Sequence, residues 1–223
     1  MSADPTTDTA AAPLLLDSAL RDFRFSRLEC VMIDAAPHAV YEATRRLDLL
    51  TIHSPLFDLV MWARGVPDRL RRRPLPAPPT MRVADLFDVN THDQDQPWVA
   101  LGETPGRELT FGAVGKVWKP AIEWRRIEPD AFTGFEEPGW AKMAAAFTVH
   151  PYGTRRSLLV YEARTVCTDP ESTVRFGRYW TLVSPGVGIA LRAALQSVKT
   201  AAEHPDRPGP VRVEGTEAER DET

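Results

Sequence analysis

Four side chains of this chain are suited to moving protons inside a folded domain: His53, Glu103, Tyr161 and Thr165. General acid–base chemistry needs such a group within hydrogen-bond reach of a substrate. Nothing in the spacing of these four brings them together. The remaining histidines form no constellation either. His38 lies at a helix start, His92 in an acidic turn, His150 at a strand end and His204 near the C-terminus. None has the i, i+4 partner or the adjacent glutamate of a zinc site. His92 with Asp93 and Asp95 reads as a solvated turn rather than a cation site. No metal and no cofactor is expected. There is no Gly-x-Ser-x-Gly and no glycine-rich phosphate loop, so a nucleophilic hydrolase or a nucleotide enzyme is unsupported. The two cysteines, Cys30 and Cys167, fit no Cys-x-x-Cys pattern and are expected as buried free thiols.

The elements that would position such groups are read from periodicity. A strand is predicted over 25–35, with Leu28, Cys30 and Met32 on one face and Val31 and Ile33 on the other. Pro37 opens a helix through Leu47, and Ser54-Pro55 opens another over 56–63. The basic run Arg69, Arg71, Arg72 and Arg73 reads as a solvated helix end before a proline-rich loop at 74–80. Residues 81–87 fit a short helix or a strand equally. Strands are then predicted at 98–103, 107–114, 121–128, 132–135, 141–149 and 156–167, with short links that favour antiparallel neighbours. The last two form a hairpin about Tyr152-Gly153. Asp169-Pro170 is an N-cap followed by proline at the first helical position. The helical end is expected in two pieces, broken at Pro185-Gly186. In the second piece Val187, Leu191, Leu195, Val198 and Ala202 form one apolar stripe.

Composition sets the class. The chain has 223 residues and 43% hydrophobic content, enough for one core. The net charge is −4, with −3 in residues 1–17 and −3 in residues 204–223. Residues 18–203 therefore carry +2, close to neutral, which argues against a nucleic-acid binder. No apolar stretch approaches the ~20 residues needed to span a bilayer. The N-terminus lacks the basic region of a signal peptide, so a cytoplasmic protein is expected. One domain is expected over 19–203, between disordered segments at 1–18 and 204–223. Within the first segment, residues from Leu14 onward fit a short helix or an extended lead-in.

Strand, two helices, a run of antiparallel strands and a last helix describe an α+β architecture. The order resembles the helix-grip fold of the START-like, or SRPBCC, superfamily. Pro37-His38-Ala39-Val40-Tyr41 resembles the opening of the first helix in these proteins. RELTFGAVGKVW (107–118), EPGWAKMAAAF (137–147) and TDPESTVRFGRYW (168–180) resemble segments of bacterial members. The resemblance covers roughly residues 22–203. It implies a curved antiparallel sheet wrapped around a long C-terminal helix, with a cavity between them. It implies no single activity, since relatives include lipid carriers, hormone receptors and polyketide cyclases.

Strand alternation marks the inward face. On 156–167 the set Leu159, Tyr161, Ala163 and Thr165 faces in, because Glu162 and Arg164 belong outside. The partner strand offers Ala145, Phe147 and Val149, and the strand before it Leu109, Phe111 and Ala113. With Trp180, Leu191 and Leu195 from the last helix, Leu109, Phe111, Phe147, Leu159, Tyr161, Ala163 and Thr165 are the expected cavity lining. Such a wall suits a small hydrophobic molecule. The alternative is that these side chains fill the space against the helix. Trp98, Trp118, Trp140, Tyr179 and Trp180 are expected near the rim, or as core fillers. Two functions follow: binding of a hydrophobic ligand, or a polyketide cyclase or dehydratase-like reaction in the same cavity. A third is a purely structural or dimerising module with a filled core; the partners expected are a small hydrophobic molecule and a second copy in a homodimer.

Overall fold

The computed structural model describes residues 13–48, 82–88 and 97–205. The expected helix at 56–63, His53, the basic run, the proline-rich loop and the His92 turn lie outside them. Six strands form one antiparallel sheet: β1 (Phe25–Ile33), β2 (Val99–Thr104), β3 (Glu108–Lys116), β4 (Glu123–Arg125), β5 (Ala141–Tyr152) and β6 (Arg156–Cys167). The strand order is β1-β6-β5-β3-β2, with β4 paired to β3. Among the described residues five helices accompany it: α1 (Leu15–Ala19), α2 (Pro37–Arg45), α3 (Val83–Phe87), α4 (Pro129–Phe132) and α5 (Pro170–Glu203). This is a helix-grip arrangement: a curved sheet holding α5, which packs chiefly against β1, α2 and β6. Among the described residues no helix is long and apolar enough to cross a membrane.

The β5–β6 hairpin is the backbone of the sheet. Its turn needs a residue with φ above zero, and Gly153 supplies it at 68°. That turn fixes the register, pairing Phe147 with Tyr161 and Ala145 with Ala163. Pro37 stands at the start of α2, where its missing N–H has no helical partner to lose. Asp169 caps α5, accepting from the Ser172 N–H at 2.9 Å.

Four expectations change. The last helix is not broken: α5 runs 34 residues with Pro185 inside it. The proline ring lies on the solvent side, and both flanking segments are held by packing that outweighs one lost hydrogen bond. The strand expected at 132–135 is instead the end of α4 with a turn at Thr133-Gly134. Pro129 and Asp130 favour a helix start, and the Phe132 ring is wholly buried. The folded unit begins before residue 19, because α1 is helical and Leu16 is 1% exposed. Cys30 is exposed rather than buried, since β1 is an edge strand whose inward set is Phe25, Arg27, Glu29, Val31 and Ile33.

The sheet is covered on both faces. On the convex face Leu16 and Leu20 of the N-terminal segment pack with Val114, Ile127, Phe132, Trp140, Ala144 and Ala146. The fully buried Glu108 carboxylate accepts from the backbone N–H groups of Leu15 and Leu16 at 2.9 and 3.1 Å. A distant strand thus caps α1, whose own Leu14 offers no acceptor. Arg164 ties the same segment down, donating to Asp17 at 2.7 Å and to the Leu20 carbonyl at 3.2 Å.

Candidate functional site

The concave face is built in rows across the strands. One row reads Glu29, Tyr161, Phe147, Leu109 and Glu103 from β1 to β2; the next reads Arg27, Ala163, Ala145, Phe111 and Ala100. Diagonal neighbours on a sheet face lie within reach of aromatic rings. Two diagonal pairs and the directly opposed Phe147 and Tyr161 make a continuous chain here: Trp98 to Phe111 at 5.6 Å, Phe111 to Phe147 at 6.2 Å, and Phe147 to Tyr161 at 4.8 Å between centroids. Val40, Tyr41 and Leu47 from the α2 region, Val83 and Leu86 of α3, and Ala194, Leu195 and Val198 of α5 close over it.

Of the expected lining, Leu109, Phe111, Phe147, Leu159, Tyr161 and Leu195 lie in this one core, with Ala163 and Leu191 half-buried against it. Trp180 is not brought there. It stacks on Phe176 at 5.9 Å in a separate aromatic cluster near the start of α5, with Trp118, Tyr179 and Phe25. Thr165 pairs with Phe25 and Met143 and marks the junction between the two clusters. The aromatic rim is likewise divided, because Trp140 packs on the convex face, with the Lys116 ammonium 4.1 Å above its ring.

The polar groups of this face are few. Tyr161 and Thr165 are 9% and 7% exposed, and among the described residues the one fully buried side-chain polar atom without a hydrogen-bond partner is Trp118 Nε1, away from this face in the cluster near the start of α5. Burial pushes the Tyr161 phenol far above its ordinary range, so it stays protonated and can donate. Glu103 is already engaged: Tyr41 and Arg45 both donate to its Oε1. Among the described residues no three His, Cys, Asp or Glu side chains converge as a metal site would require.

Alternation could have found one feature that the sequence reading missed. If Val31 and Ile33 face in, so do Arg27 and Glu29. Both charged side chains sit on the concave side of β1, where α5 crosses. Two surface clefts, of about 560 and 510 Å³, lie elsewhere. One is at Asp34 and the β5–β6 turn, and the other is beside Lys142 and the segment 18–22.

The Tyr41 phenol is raised to about 12 from an ordinary 10, first by burial and then by its bond to Glu103. A raised phenol favours the native state at pH values below its unfolded pKa, and that contribution is lost as pH climbs from about 10 to 12. Stability measured by urea unfolding should therefore fall across that interval. Tyr41→Phe should remove part of the fall. Identical pH profiles for the two proteins would show that the phenol is not held as described.

No family model matches the chain, and no curated protein matches it. Solved structures do resemble it. The Zhui aromatase/cyclase from a Streptomyces species is 13% identical, with 82% of this chain and 96% of that one covered, at a TM-score of 0.30. CalU16 from Micromonospora echinospora is 14% identical over 81% and 84% of the two chains, at 0.26. The di-domain ARO/CYC BexL is 12% identical over 83% of this chain, which spans 48% of that one, at 0.31. Likeness this distant says nothing of activity. The helix-grip description stands on the strand order and the long last helix of this chain.

Proposed function

We propose that this protein binds a small hydrophobic molecule between the concave face and α5. One observation carries the reading: an unbroken row of aromatic rings, Trp98, Phe111, Phe147 and Tyr161, runs across the concave face in the core that α5 closes, with the protonated Tyr161 phenol as a donor on an otherwise apolar wall. A wall of rings with a hydroxyl donor on it suits an apolar ligand that carries an acceptor. Ala163 is half-buried against the same core, and its methyl is the smallest side chain that β6 presents to it.

The test uses N-phenyl-1-naphthylamine, a neutral probe that fluoresces in apolar surroundings. Saturable binding to the native protein is expected. Ala163→Trp should abolish it with the fold retained, since indole takes the same space. If the wild type never binds and Ala163→Trp loses about 1–3 kcal/mol of stability, the face is filled by its own side chains and the proposal fails.

A second reading, a cyclase- or dehydratase-like reaction on the same ligand, is favoured by the meeting of Tyr41, Arg45 and Glu103 on the concave side. Native mass spectrometry separates the two. A molecule co-purified with Glu103→Gln that differs in mass from the wild-type one supports chemistry, and equal masses support binding alone.

A further inference from the structure

We propose that the ligand carries a carboxylate, and that Arg27 recognises it from β1 with the Tyr161 and Thr165 hydroxyls beside it. The inference rests on the binding reading above and adds the chemical class.

Charge is the first argument. Glu29 is the single carboxylate for two arginines. Arg27 donates to its Oε1 through Nε at 2.9 Å and also through Nη2, and Arg192 Nη1 donates to the same oxygen at 2.8 Å. The three side chains sum to +1. Among the described residues Arg27 has no other acidic partner, and its Nη1 is unengaged. The Arg27 and Arg192 side chains are 27% and 53% exposed, so the excess charge is open to solvent on one side and can take a second anion there.

Placement is the second. The register sets Arg27 directly opposite Ala163, with Tyr161 and Thr165 one step to either side on the same face. Arg27 and the two hydroxyl-bearing neighbours are donors, and Glu29, the carboxylate beside them, is already shared between two arginines. A guanidinium flanked by hydroxyls matches the two oxygens of a carboxylate better than any neutral group.

The third argument is that α5 is shaped around the arginine. Gly188 is buried and lies against the Arg27 guanidinium so closely that a methyl at 188 would overlap it. Residue 188 thus admits the guanidinium between helix and sheet, a place that most other side chains there would close.

Displacement of N-phenyl-1-naphthylamine by decanoate and by 1-decanol at pH 8 tests this. The two competitors share the chain and differ in the ionised head. Decanoate should displace the probe at a concentration at least about tenfold lower. Arg27→Met should bring the two competitors close to parity, and Gly188→Ala, which pushes the guanidinium aside without removing its charge, should narrow the gap. If the probe binds and the competitors are equal in the wild type, the carboxylate inference is wrong while the binding reading stands. A preference that survives Arg27→Met overturns it as well. If the probe does not bind at all, both fail together. Should Arg27→Met not fold, the wild-type comparison still decides.

Discussion

Replacing Leu195 by alanine lowers the unfolding free energy by about 2–5 kcal/mol, the range for a fully buried leucine. Leu195 is 1% exposed and sits in the core shared by α5, the α2 region and the concave face. Its neighbours Ala194 and Val198 are small or β-branched and cannot swing into the space left behind, so the cavity term is felt nearly in full. Leu182 on the same helix provides the control. It is 76% exposed, and Leu182→Ala should change stability by no more than about 0.5 kcal/mol. Guanidinium unfolding curves of the two variants against the wild type give the comparison. Equal midpoints for Leu195→Ala and the wild type would mean that α5 does not grip the sheet by this stripe.

The convex face yields the second large effect. Leu16→Ala with Leu20→Ala should cost about 4 kcal/mol, taking roughly the lower limit for each buried leucine because a short helix near the chain end can settle partway into the gap. These leucines are 1% and 5% exposed over Phe132, Ala144 and Ala146. The loss should leave probe binding on the concave face intact, since the two cores lie on opposite sides of the sheet. Limited proteolysis of the variant should cut first near residues 14–24. A variant as stable as the wild type would show that the segment merely rests on the surface.

Local sequence settled a good deal. Alternation along β6 opposed Leu159, Tyr161, Ala163 and Thr165 to Glu162 and Arg164, because successive side chains on a strand must point to opposite faces. Asp169-Pro170 announced the start of the last helix, and the stripe from Val187 to Ala202 named its buried side. These features are legible because each is decided within a few residues of chain.

Only the tertiary structure could decide the rest. Pro185 stops a helix in isolation, yet α5 passes through it because Phe176 on one side and Leu195 on the other are already buried in their own cores. Trp180 belongs to the first of those cores and not to the second, a division that helical periodicity cannot express. The short segment at Leu15–Ala19 has too few turns to be stable alone, and becomes a helix where a carboxylate 92 residues away caps it. Arg27 and Glu29 show the same limit. Alternation puts them on the face of Val31 and Ile33, but only the crossing of α5 at Gly188 makes that face an interior, and so turns two ordinary charges into a candidate binding group.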